Sequence, residues 1–188
     1  MTPGPWKLLS VLLQYPEDEL GLEASEGKNA KLATFLAWRS ETPLAEQQQA
    51  YVRTFDFDRR ASLYLTYHTH GDRRQRGLEL VRLKRRFAEA GLPLTGNELP
   101  DYLPVLLEFT ALAPREGEAL LNELRPSLEL VRSRLHDTGS PYAPLVDVVV
   151  GALPRPTKEQ LATARRIASE GPPAELVGLE PFPTAVPS

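Results

Sequence analysis

Apolar residues recur at intervals of three and four along almost the whole chain, in blocks closed off by prolines and glycines. That spacing marks amphipathic helices, each offering one stripe to a core. The first block predicts a helix from about Pro5 to Gln14, with Leu8, Leu9, Leu12 and Leu13 inward and Pro16 as the stop. A second runs from Asn29 to Arg39 on Leu32, Phe35 and Leu36. Thr42-Pro43 then supplies a cap and a first-turn proline, where the missing N–H costs nothing. The helix they open is expected to run through Tyr51 and Val52 to about Phe55.

Ala61 to Tyr67 is ambiguous. Its tyrosines and threonine favour a strand, but no partner strand is evident and a lone strand is unstable, so a helix is expected. Asp72 is expected to cap a long helix ending at Gly91, with Leu80, Leu83 and Phe87 inward, flanked by Val81 and Ala88. Asp101 is read as the cap of the next helix, with Pro104 in its first turn and Leu103, Leu106, Leu107 and Phe109 buried. One helix is expected over about Glu116 to His136, bent near Pro126. Ser140-Pro141 opens another on Tyr142, Leu145, Val146 and Val149. Thr157 and Gln160 make a capping box for a last helix ending at Gly171. The fold class is therefore all-α: a single-domain bundle of about seven to nine helices over residues 1–170. Residues 171–188 hold five prolines and few large apolar side chains, and read as a loose tail.

Composition narrows the chemistry. At 188 residues the chain suits one domain with a sizeable core. Having no cysteine, it has no disulfide framework, thiol nucleophile, thiolate zinc site or iron–sulfur cluster. The apolar stretch Trp6 to Leu13 carries Lys7 and Ser10 and reads as an amphipathic helix, not a signal peptide. Leu145 to Leu153 is too short to span a membrane and carries Asp147. A cytoplasmic protein without stable membrane insertion is expected.

The formal charge of −3 conceals a segregated field. Residues 51–90 hold ten basic and five acidic side chains, a balance of +5, which leaves −8 on the remainder. Such a field steers charged partners. The acidic total and the lack of any helix-turn-helix or RNA-binding signature argue against nucleic acid. The one metal-like motif is His68-Thr69-His70-Gly71-Asp72, similar to the metal loop of metallo-β-lactamase-like hydrolases. His136 is the only other histidine, so a dinuclear site cannot be completed. There is no Gly-x-Ser-x-Gly elbow and no phosphate-binding glycine loop. Enzyme readings are therefore weakly supported by the residues. Tyr51, Phe55, Phe57, Tyr64 and Tyr67 fall close together among arginines and aspartates. Some belong to the core, and the rest suit a groove for a peptide helix.

Those same residues carry a resemblance. Tyr51-Val-Arg-Thr-Phe-Asp-Phe, Ser62-Leu-Tyr-Leu-Thr-Tyr, His70-Gly-Asp and Arg76-Gly77 resemble the NarJ-type assembly chaperones of respiratory nitrate reductase, within the wider group of all-helical chaperones for molybdenum enzymes. So does Glu98-Leu-Pro-Asp-Tyr-Leu-Pro-Val-Leu-Leu-Glu-Phe109, and the opening Leu8-Leu-Ser-Val-Leu-Leu-Gln-Tyr-Pro16 looks like the family's start. His68-Thr69 and Tyr102 depart from the family pattern.

The resemblance implies a chaperone, a binding protein that is not an enzyme and carries no cofactor, that binds the N-terminal segment of the catalytic (alpha) subunit of nitrate reductase. It would hold the apoenzyme off the membrane until the molybdenum cofactor is inserted, and cofactor delivery proteins are further conceivable partners. A related sulfoxide or N-oxide reductase is the alternative client, and a metal-dependent hydrolase using His68, His70 and Asp72 the remote one. On this reading the client's apolar face enters a groove lined by Tyr51, Phe55, Tyr64, Tyr67, Leu103 and Leu107. Asp56, Asp72, Asp101 and Glu108 face its basic residues, and Arg74, Arg76 and His70 complete the site.

Overall fold

The computed structural model describes residues 5–17, 29–71 and 74–171. Among these residues it forms ten α-helices: α1 (Trp6–Leu12), α2 (Ala30–Glu41), α3 (Leu44–Tyr51), α4 (Leu65–His70), α5 (Arg74–Glu89), α6 (Leu103–Leu112), α7 (Pro114–Glu123), α8 (Arg125–Asp137), α9 (Ala143–Ala152) and α10 (Lys158–Glu170). Around one core, α1 packs on α6 and α9, α2 on α9, α6 on α7, and α8 on α9 and α10. Phe35, Trp38, Tyr51, Phe55 and Tyr142 form a contiguous aromatic cluster within it, with ring centroids 4.8–5.8 Å apart. The inward stripes of α2 and α9 are in place; α1 ends at Leu12, two residues before the expected Gln14, with Leu9, Leu12 and Leu13 buried and Leu8 half-buried.

Two predicted termini form as their sequences dictate. Gly91 takes φ +77 and closes α5 with paired bonds, its own N–H to Ala88 O (2.9 Å) and Leu92 N–H to Phe87 O (3.0 Å), a Schellman turn. Thr157 and Gln160 make both halves of the capping box on α10. The proposed Asp72 cap and the loose tail at 172–188 lie outside the described residues.

Elsewhere tertiary contacts overrule local reading. Thr42 does not cap α3; its hydroxyl donates to Trp38 O at the end of α2 (2.6 Å). After Tyr51 the chain widens into a π-helical turn, Val52–Asp56, closed by Phe57 N–H to Val52 O (3.3 Å). The single helix expected over 116–136 is two, broken at Leu124, because Pro126 is accommodated in the first turn of α8 and not mid-helix. That break accounts for part of the excess over the expected helix count. Gly117 on α7 lies so close to α6 that a Cβ there would overlap Thr110, which is why α6 and α7 can pack tightly. On α5 only Leu83 and Phe87 are buried; Leu80 is half-buried, and Val81 and Ala88 are exposed.

Asp147 fastens three helices. Its carboxylate accepts from Lys31 on α2 (3.1 Å) and from Arg132 (2.5 Å) and His136 (3.1 Å) on α8. Burial pushes this carboxyl up, but Arg132, His136 and Lys31 together outweigh burial and hold it at about 2. A depressed carboxyl stabilises the fold fully above its unfolded value near pH 4, and the contribution is lost as pH falls through about 2. Asp147→Asn is expected to cost roughly 1–2 kcal/mol at pH 7 and to flatten stability between pH 4 and 2. Urea midpoints across that range test this, and an equally steep acid limb in the variant refutes it.

Candidate functional site

The site begins where the strand propensity of residues 62–67 is spent. Ser62 to Tyr64 are extended, after a 3-10 turn at Arg59–Ala61, and meet residues 101–103 in an isolated antiparallel bridge, Tyr64 to Tyr102. Leu65 N–H donates to Asp101 O (3.0 Å) and Leu103 N–H to Leu63 O (2.8 Å). The helix expected from Ala61 therefore starts only at Leu65. As expected, no partner strand forms among the described residues; the pairing is a single bridge, with no alternating pattern to announce it.

This bridge lays Tyr64 and Tyr102 side by side, stacked at 5.0 Å and 28°. The Tyr102 hydroxyl meets that of Tyr51 (2.9 Å), and the Tyr64 hydroxyl donates to Glu98 (2.9 Å). Burial, then Tyr102 and the nearby Asp56, push the Tyr51 phenol well above its ordinary range. Burial and Glu98 do the same to Tyr64. Both stay neutral donors at any physiological pH.

Asp101 does not cap its own helix. Wholly buried, it reaches across to the N-terminus of α4, accepting from Thr66 N–H (3.3 Å) and the Thr66 hydroxyl (2.5 Å). Arg76 of α5 closes the set, with Nη2 3.3 Å from Asp101 and Nε 3.3 Å from the Thr66 hydroxyl. Its guanidinium lies 5.9 Å from the ring centroids of both Tyr64 and Tyr67. One arginine thus ties α4, α5 and the approach to α6 behind two tyrosines.

The structure brings Tyr51, Tyr64, Tyr67, Arg76 and Asp101 together around Tyr102, with Asp56 close enough to act on the Tyr51 and Tyr102 phenols. Five of the expected site residues are not on an open surface. Asp101, Leu103 and Leu107 are fully inaccessible, and Phe55 and Tyr51 are buried in the aromatic cluster. The groove expected from sequence is thereby corrected: Leu103 and Leu107 lie on the face of α6 that packs into the core, and Asp101, expected to meet basic residues of a client, is bonded to Thr66 and Arg76 instead. Arg74 is exposed, His70 is half-buried, and Asp72 lies outside the described residues. Glu108 is half-exposed and pairs with Lys7 of α1.

Open space lies on the other face of α6. A cleft of about 480 Å³ is walled by Tyr15, Pro16 and Arg39 on one side and by Glu98, Tyr102, Val105 and Glu108 on the other. Sequence reading missed Tyr15, Val105 and the central role of Tyr102, although Tyr102 stood out as a departure from the family pattern. The cleft is acidic: Glu17, Glu98 and Glu108 line it against Arg39 alone.

Of the histidine motif, Asp72 lies outside the described residues. His68 is fully buried with Nε2 2.8 Å from Ser62 O, and burial holds its pKa down. Among the described residues no three metal-ligating side chains converge. Nor is any described helix long and apolar enough to cross a membrane.

The sequence matches the family described as nitrate reductase delta subunit over residues 19–147. It is 36% identical over 157 residues to the probable nitrate reductase molybdenum cofactor assembly chaperone NarJ of Bacillus subtilis, covering 77% of this chain and 85% of that one. It is 34% identical over 158 residues to the nitrate reductase molybdenum cofactor assembly chaperone NarJ of Escherichia coli K12, covering 76% of this chain and 66% of that protein. The nitrate reductase-like protein NarX of Mycobacterium tuberculosis H37Rv is 37% identical over 153 residues, but the match covers only 23% of that longer chain.

Proposed function

This chain belongs to the nitrate reductase delta subunit family, and from that premise we propose that it is a cytoplasmic assembly chaperone, not a catalyst, for the catalytic subunit of nitrate reductase. It binds that subunit's N-terminal segment in the acidic cleft beside Tyr102 and keeps the apoenzyme available for molybdenum cofactor insertion. The observation that carries this reading is the cleft itself: rigid aromatic edges from Tyr15 and Tyr102 beside the carboxylates Glu17, Glu98 and Glu108. Tyrosine offers large contact area for little lost entropy, and an acidic rim favours a basic segment. Tyr64, Tyr67 and Arg76 brace the cleft from behind. Loading of the cofactor releases the client only by changing its affinity for this surface.

Calorimetry against a synthetic peptide of the catalytic subunit's N-terminal segment tests the reading. Binding in the micromolar range or tighter, about 8 kcal/mol, is expected, weakened by salt and by Tyr102→Ala. Failure to bind this peptide, with tight binding to the corresponding segment of a sulfoxide or N-oxide reductase, would assign the chaperone to another molybdenum enzyme.

A further inference from the structure

A second cleft of about 400 Å³ adjoins the first and shares Glu98, Val105 and Glu108 with it. Its other walls are almost wholly apolar: Phe87 at the end of α5, Leu92 to Leu94 in the following loop, and Phe109 and Leu112 on α6. Phe87 and Phe109 stack face to face at 4.0 Å and 4°, making a rigid base. Leu112, at the rim, is 65% exposed although it sits on a helix whose opposite face is core.

The outer face of α6 is thus a line of Tyr102, Val105, Glu108 and Leu112, about 15 Å long at 1.5 Å per residue. A client helix of three turns spans it. The acids stand in the middle, the tyrosine at one end and the apolar pocket at the other. Glu108 sits four residues from Leu112, one turn along the helix. Its present partner Lys7 is itself largely exposed, and an exposed pair of this kind is weak enough for an incoming cation to replace.

Building on the proposed function, we propose that the cleft formed by Phe87, Leu92, Leu94, Val105, Phe109 and Leu112 is the anchor pocket for one bulky apolar side chain of the client segment. Glu98 and Glu108 set its register by taking a basic residue about one turn away. The occupant follows from three features. The pocket is continuous with the tyrosine-lined cleft, its shared wall is acidic, and its base is aromatic. A basic amphipathic helix satisfies all three, with apolar and basic residues three or four positions apart on one face. An apolar partner without basic residues would bring no charge complementary to Glu98 and Glu108.

The test is a set of calorimetric titrations of the full chain with the same N-terminal peptide and its alanine-substituted versions. Leu112→Asp is expected to weaken binding at least about tenfold, with circular dichroism and thermal midpoint unchanged because Leu112 is exposed. Glu108→Gln is expected to weaken it a few-fold. Its effect should vanish on a peptide lacking one particular basic residue, and that of Leu112→Asp on a peptide lacking an apolar residue three or four positions away. If the unmodified chain binds and Leu112→Asp binds within twofold, the anchor pocket is overturned while the chaperone reading stands. Should Leu112→Asp alter self-association in sedimentation but not peptide affinity, the face joins copies of this chain and the proposal is likewise overturned. If the unmodified chain binds no peptide, both readings fall together.

Discussion

Leu107→Ala is expected to lower the unfolding free energy by about 2–5 kcal/mol, one of the two largest effects of any single change considered, and to weaken client binding only through that loss. Leu107 is fully inaccessible on the inner face of α6, in the one core that α6 shares with α1 and α7. Truncation removes buried methyl groups and leaves a cavity among helices too constrained to collapse into it, with Gly117 already fixing how closely α6 and α7 approach. Urea unfolding gives the stability, and peptide calorimetry on the fraction still folded gives the affinity. A variant with an unchanged midpoint but lost binding would place Leu107 in the client surface after all, and the assignment of the two faces of α6 would be reversed.

That assignment shows where sequence reading reached and where it stopped. Leu-Pro-Val-Leu-Leu-Glu-Phe-Thr-Ala-Leu is apolar nearly all round, so periodicity says that α6 is buried without saying which side remains open. Only its neighbours decide, and those come from segments far away: α1 and α7 cover Leu103, Leu106 and Leu107, leaving Val105, Glu108 and Leu112 outward. The capping box on α10 and the glycine stop of α5 were legible because each is written within a few residues. Asp101 illustrates the opposite case. Its position one step before Tyr102 and two before Leu103 suggests a local cap, yet its carboxylate serves α4, 35 residues earlier in the chain. A cap acting across the chain leaves no local spacing to read. The same bridge hides the partner of Tyr64, and with it the stack that forms one edge of the cleft.

Asp101→Ala is expected to cost about 3–5 kcal/mol, as does breaking a buried ion pair by removing one partner. Solvent at Arg76, which is 18% exposed, holds the effect toward the lower end. The Thr66 amide at the start of α4 and the Thr66 hydroxyl lose this acceptor together, and the Arg76 guanidinium loses one of its partners. Asp101→Asn keeps the shape and one carbonyl acceptor, so it should cost less than half as much. The consequence for function follows from where Arg76 sits. Without this carboxylate the guanidinium is held less firmly near Tyr64 and Tyr67, and the backing of the Tyr64–Tyr102 stack at the edge of the cleft is weakened. Peptide affinity should then fall more in Asp101→Ala than in Asp101→Asn, in the same order as the loss of stability. A double-mutant cycle of Asp101→Ala with Arg76→Ala separates pairing from packing. A coupling energy of at least about 1 kcal/mol is expected for a pair this buried, and additivity within a few tenths would mean that Arg76 is held by its other contacts and not by the carboxylate.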